Sequence, residues 1–143
     1  MTPVNAGLLS SVRNDFETPR EFFDDLHAEF SFTIDVAASP RNAKCDRYFT
    51  EADNGLAQTW APAICWMNPP YGRMIEYWVA KAAIEAQRGA TVVGLLPART
   101  DTRWWHSWVL PVAEVRFVKG RLRFSGIAKD APFPSAVVIW RPT

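Results

Sequence analysis

The residues with most to offer chemically are Asn68-Pro69-Pro70-Tyr71, which stand where the apolar run Ala63-Ile64-Cys65-Trp66-Met67 stops abruptly. Consecutive prolines fix the backbone and remove two N–H donors, leaving their carbonyl oxygens free to accept. Asn68 adds a side-chain amide oxygen, so the segment presents acceptors to an –NH2 group, and Tyr71 offers a ring to stack on a flat heterocycle. A Pro-Pro pair alone is a rigid turn. At the carboxyl end of a buried strand, however, the same string occupies the place where open α/β sheets carry their ligand sites.

Charge divides the chain. Residues 1–60 carry ten Asp/Glu against five Lys/Arg, and residues 61–143 carry eleven Lys/Arg against five Asp/Glu. The excess is densest from Arg99 to Lys129, where Arg99, Arg103, Arg116, Lys119, Arg121, Arg123 and Lys129 face Asp101 and Glu114. That stretch reads as an edge for the phosphates of a nucleic acid. Seven tryptophans are mostly core mass, with one ring of the Trp104, Trp105, Trp108 group expected to be exposed. Cys45 and Cys65 read as reduced thiols, and with only His27 and His106 beside them no metal site is expected. No apolar run approaches the roughly 20 residues that cross a bilayer, and Met1-Thr2-Pro3-Val4-Asn5 does not resemble a signal peptide, so a cytoplasmic protein is expected.

The elements that must position these groups follow from periodicity. Residues 1–15 read as a flexible polar arm and residues 16–143 as a single domain. Thr18-Pro19-Arg20-Glu21 has the form of a capping box, with Thr18 at the N-cap, Pro19 at the first helical position and Glu21 reaching back. Phe22, Phe23, Leu26 and Phe30 then continue at helical spacing. Phe32–Ala38 reads as a buried strand, and Asp53-Asn54-Gly55 as a turn in a polar loop. Beyond Tyr71, Met74, Ile75, Trp78, Val79, Ala82, Ala83 and Ala86 share one helical face that ends at Gly89. Thr91–Leu96 is an all-apolar strand. A helix capped by Thr100 or Asp101 is expected through Val109, and strands over Glu114–Val118 and Ser135–Trp140. Alternation of strand and helix implies a mostly parallel α/β sheet. The lack of a helix between the last two strands makes one of them antiparallel.

Asn68-Pro69-Pro70-Tyr71-Gly72 is similar to the catalytic motif of S-adenosylmethionine-dependent amino methyltransferases. With Glu17-Thr18-Pro19, Phe32-Thr33-Ile34-Asp35-Val36-Ala37-Ala38 and Tyr48-Phe49-Thr50, the pattern resembles the phage-type DNA N-6-adenine methyltransferases, a Dam-like family, over residues 14–141. The resemblance implies a compact Rossmann-like class I methyltransferase fold and transfer of a methyl group to the exocyclic amino group of an adenine flipped out of DNA. It implies Asn68, Pro69, Pro70 and Tyr71 as catalytic residues, with Asn68 also touching the cofactor. The Thr18-Pro19 helix start would lie by the methionine end of S-adenosylmethionine, Asp35 would pair with its ammonium group, and Ala37 would stand where related enzymes carry glycine. Asp53 is the candidate for its adenine moiety, although an Asp in that sequence also simply forms a turn. No Gly-x-Gly-x-x-Gly occurs anywhere, so the cofactor loop must be built differently.

DNA would then meet Arg99, Arg103, Lys119, Arg121 and Arg123, the last two in a loop near the substrate mouth. The alternatives are methylation of another amino group (RNA, a nucleotide or a protein glutamine) and a cofactor- or DNA-binding module without turnover. Neither target sequence nor oligomeric state is legible.

Overall fold

A computed structural model describes residues 16–127 and 129–143; the expected N-terminal arm, residues 1–15, lies outside the described residues. Helix α1 spans Arg20–Phe30, strand β1 Ile34–Asp35 and strand β2 Ile64–Met67. Helix α2 runs over Ile75–Gln87 and strand β3 over Thr91–Pro97, before strands β4 (Glu114–Phe117) and β5 (Ser135–Trp140). The five strands form one mixed sheet in the order β1-β2-β3-β5-β4. The β1/β2 and β2/β3 pairs are parallel, and β5 lies between β3 and β4, antiparallel to both. The expected reversed strand is therefore the last one, inserted rather than added at the edge.

Burial explains this order. Strands β3 and β5 are apolar along nearly their whole length and lie at the centre, paired from Val92 with Trp140 to Pro97 with Ser135. The α2 face expected from spacing is buried at Ile75, Trp78, Val79, Ala82, Ala83 and Ala86. Met74 departs from it: as the residue before the helix it is 47% exposed. Glu85, one turn beyond Ala82 on the same face, is 0% exposed. One carboxylate oxygen accepts the main-chain N–H groups of Trp60 (2.7 Å) and Ala61 (3.0 Å). The other oxygen meets Lys81 (3.1 Å) and Arg88 (3.0 Å). Burial pushes this carboxyl up, but the Ala61 and Trp60 amides and the Lys81 ammonium outweigh it and hold the pKa at about 2.

Strand β1 is shorter than the expected Phe32–Ala38. Its flank is taken by a loop: Asp35 N–H donates to the Arg47 carbonyl (3.1 Å), and Phe49 N–H to the Asp35 carbonyl (2.9 Å). After Asp35 the chain bends around that residue's own carboxylate. Gly55 permits the loop to lie over the bend, because a Cβ there would come within 2.3 Å of the Val36 carbonyl oxygen.

Two local expectations are corrected. The capping box does not form: Pro19 (φ −59°, ψ 137°) precedes the first helical residue, Arg20, and no side chain caps α1. The Thr18 hydroxyl is committed elsewhere. The helix expected through Val109 is a short π-helical turn over Trp105–Val109, closed by a Leu110 N–H to Trp105 carbonyl bond of 2.9 Å. The Trp140 indole takes the Trp108 carbonyl (2.8 Å), and Thr102, rather than Thr100 or Asp101, accepts the Trp105 N–H. Trp104 and Trp105 are buried and Trp108 partly so, which leaves no fully exposed ring in that group.

Candidate active site

Strand β2 ends at Met67 and delivers Asn68 to the carboxyl edge of the sheet. The Asn68 amide nitrogen donates to the Phe16 carbonyl (2.5 Å) and to the Thr18 hydroxyl oxygen (3.0 Å). Its oxygen, Oδ1, is buried and has no partner among the described residues. Burying an amide oxygen without a hydrogen bond costs about 1–3 kcal/mol, and among the described residues Ser135 Oγ is the other buried side-chain atom without a partner.

Thr18, Asp35, Ala37 and Asn68 line one small cleft, together with Glu17, Asn42, Lys44 and Trp66. Four of the residues singled out from sequence thus converge from three separate segments. Asp35 is buried, and its two carboxylate oxygens accept the N–H groups of Ala37 (3.2 Å) and Lys44 (3.0 Å). Burial drives its pKa up to about 6, against the pull of the Lys44 and Ala37 amides. The Lys44 ammonium stands 3.7 Å from the Glu17 carboxylate at the cleft mouth. The cleft encloses about 20 Å³, room for a single water molecule. Asp53 is not part of it. Its carboxylate closes an exposed turn on the Thr50 N–H (2.9 Å) and hydroxyl (3.0 Å). Pro19 is half-buried at the start of α1 and does not line the cleft.

Pro69 is buried and Pro70 exposed; the chain then turns Tyr71 inward. Tyr71 was expected to offer an open stacking face, and here the structure differs. Its hydroxyl donates to the Leu95 carbonyl (2.7 Å), and its ring is stacked on Phe16 at 5.4 Å and 23°. Phe124 and Phe133 meet it edge-on at 6.3 and 5.7 Å. These rings bury their apolar surfaces against one another, and Phe16 fills the face a flat ligand would use.

The basic residues fall into two groups. Arg99 and Arg103, with Arg73, border a groove of about 340 Å³ beside Gly72, and Arg99 reaches the Tyr71 carbonyl at 3.4 Å. Lys119, Arg121 and Arg123 lie on the loop between β4 and β5, which also supplies Phe124 and Phe133 to the Tyr71 cluster. Arg121 hydrogen-bonds the Ala131 carbonyl (3.3 Å), while Arg123 pairs with Asp130 (3.3 Å). Arg116 leaves the phosphate-facing set: Glu29 and Glu114 each hold its guanidinium at 2.7 Å.

Sequence reasoning missed Phe16, Lys44, Phe133 and Arg73. Phe16 and Phe133 lie far apart in the chain, and the Ser125 N–H bond to the Glu17 carbonyl (2.9 Å) helps fasten the late loop over the early segment where they meet. Arg73 had a readable signal, since it follows the Asn68–Gly72 string by one residue.

The model of the family described as DNA N-6-adenine-methyltransferase (Dam) matches residues 5–142. The chain is 30% identical over 114 residues to a DNA N-6-adenine-methyltransferase of Escherichia phage T1, covering 78% of this chain and 48% of that protein. It is 26% identical over 96 residues to a DNA N-6-adenine-methyltransferase of Haemophilus phage HP1, covering 67% and 56% respectively. The chain spans about half the length of these curated relatives. A family match over nearly the whole sequence, on a chain that brings Thr18, Asp35 and Asn68 to one cleft, places this protein in the Dam family of DNA N-6-adenine-methyltransferases.

Proposed function

We propose that this chain transfers a methyl group from S-adenosylmethionine to the exocyclic amino group of adenine in DNA, on a Rossmann-like sheet. The observation that carries the reading is the buried, unpartnered Oδ1 of Asn68 at the end of β2. The amino nitrogen of adenine is a poor nucleophile because its lone pair is delocalised into the ring. Asn68 Oδ1 and the Pro69 carbonyl would accept its two N–H groups and draw it toward tetrahedral geometry. Both contacts strengthen as positive charge develops on the nitrogen, so they favour the transition state over the ground state.

The residues of the cleft suit the cofactor chemically. Asp35 keeps lone pairs for an ammonium group after accepting two main-chain N–H bonds, and Ala37 behind it is small. When bound, S-adenosylmethionine would supply an activated methyl on sulfur. At about 20 Å³ the cleft is smaller than such a molecule, so the Lys44 and Glu17 side chains that line it would swing aside on binding while the Phe16 carbonyl and the Thr18 hydroxyl stay on Asn68. Adenine cannot be reached inside a duplex and must be flipped out, with Tyr71 as its stacking partner. Arg73, Arg99 and Arg103 beside Gly72, and Lys119, Arg121 and Arg123 on the late loop, would hold the flanking phosphates.

The test is methyl transfer from labelled cofactor to mixed DNA, RNA and peptide substrates, followed by nucleoside mass spectrometry. N6-methyladenine in DNA is expected. Asn68→Ala should lower turnover at saturating cofactor by about 10²-fold or more, the usual loss for a transition-state hydrogen bond. Label found only in RNA or peptide, or full activity in Asn68→Ala, overturns the reading.

A further inference from the structure

The proposed reaction requires Asn68 to present its oxygen, and a carboxamide can rotate to present its nitrogen instead. We infer that Thr18 is a positioning residue for Asn68: its buried hydroxyl oxygen takes the second amide proton and keeps Oδ1 turned toward the substrate's amino group. The inference rests on the proposed amino-methyl transfer.

Three observations support it. The Phe16 carbonyl can only accept, so it must face the Asn68 amino group; the rotated amide would set two carbonyl oxygens against each other. That contact chooses the rotamer, but a single hydrogen bond leaves the amide plane free to swing. The Thr18 oxygen at 3.0 Å lies on the other N–H, and two non-collinear bonds fix the plane. Thr18 is 1% exposed, and its hydroxyl is withdrawn from the helix end that its sequence position would have it cap. The Phe23 N–H closes on the Pro19 carbonyl (3.1 Å) without it. Donating both protons also polarises the amide and raises the acceptor strength of Oδ1. Thr18 acts through Asn68 and forms no bond to the reacting atoms.

Thr18→Val keeps the shape and removes the acceptor, whereas Thr18→Ser keeps the acceptor. In the full chain, Thr18→Val should lower kcat by about tenfold, at the low end of what an outer hydrogen bond behind a working group contributes. With kcat read at saturating cofactor, KM for DNA should stay within about twofold, and Thr18→Ser should recover most of the rate. In an Asn68→Ala background, Thr18→Val should cost nothing further, because its effect passes through the missing amide. Wild-type kcat in Thr18→Val, failure of Thr18→Ser to recover it, or an undiminished tenfold loss in the Asn68→Ala background overturns the inference.

Hydrogen exchange of the Asn68 side-chain amide protons, followed by NMR, separates this outcome from failure of the proposed function. Both protons should be protected in the wild-type chain, and one should exchange at least about tenfold faster in Thr18→Val, or in Thr18→Ala if the valine variant folds poorly. Unprotected protons in the wild type, or equal exchange in the variants, overturn the positioning role even if no substrate is methylated.

Discussion

Glu85 and Asn68 are both polar side chains taken into the interior, and the molecule treats them in opposite ways. Every oxygen of the Glu85 carboxylate is engaged, by two main-chain amides and two cationic side chains. Asn68 has its nitrogen fully engaged and its oxygen left bare. The first arrangement ties the Trp60–Ala61 loop to α2 and has nothing left to offer a ligand. The second keeps one acceptor in reserve, at a cost in stability, where the chain ends a strand. Asp35 stands between them: its oxygens accept two amides, yet burial still holds its pKa near 6. Between Glu85 and Asn68, the difference lies in saturation of hydrogen-bonding capacity rather than in being taken into the interior.

The strongest way to break this contrast is Glu85→Ala. It strands the Trp60 and Ala61 amides and the largely covered Lys81 ammonium, and should lower the unfolding free energy by about 3–5 kcal/mol in chemical denaturation. Methyl transfer per folded molecule should be unchanged. A loss of turnover beyond the unfolded fraction would join Glu85 to the site and dissolve the distinction.

The two acids should also differ in the sign of their pH dependence. Glu85 has a lowered pKa, so its contribution is present above 4.5 and is lost as pH falls toward 2. Asp35 has a raised pKa, so the folded state holds its proton more tightly than the unfolded chain. Its burial therefore costs stability as pH rises from 3.8 to about 6. Asp35→Asn should flatten the stability profile in that window and leave the acid limb intact. A cation docking on Asp35 needs the charged form, so cofactor affinity should weaken about tenfold from pH 7 to pH 5 in calorimetry. Affinity that ignores pH over this range would remove Asp35 from the cofactor site.

The smallest effect concerns the Tyr71 hydroxyl, a satisfied group inside the site itself. Tyr71→Phe loses its bond to the Leu95 carbonyl and should cost about 1 kcal/mol of stability, with turnover largely preserved. A large fall in rate would mean the hydroxyl, and not only the ring, serves the reaction.

Much of this was readable in advance because it depends on near neighbours in sequence. The apolar stripe of α2, the unbroken apolar runs of β3 and β5, and the halt of β2 at Asn68 are all periodic or positional signals. Asp35 and Thr18 were identified as site residues by resemblance, and they do line the cleft with Asn68. The bond between Thr18 and Asn68 was invisible, because it joins residues 50 positions apart and defeats the local capping rule. The π-helical turn was equally hidden, since Trp140 takes a carbonyl 32 residues away. Glu85 did leave a trace. A carboxylate on an otherwise apolar helical face must be buried with partners, and the Lys81 and Arg88 spacings supply two of them.

Phe16 joins both halves of the site through one residue, its carbonyl on Asn68 and its ring on Tyr71. A base that takes the Tyr71 face therefore displaces a tenant instead of covering an empty, wetted surface. Stacking a base on an aromatic ring is worth about 1–3 kcal/mol, and an aromatic pair about 0.5–1.5 kcal/mol beyond its buried area. In the proposed reaction, the stacking of a flipped adenine on Tyr71 would be offset by the loss of the Phe16 contact. Because the ring turns about its own side-chain bonds, it can leave while the carbonyl remains on Asn68. The exchange of tenants and the aim of the amide are thereby uncoupled within a single residue.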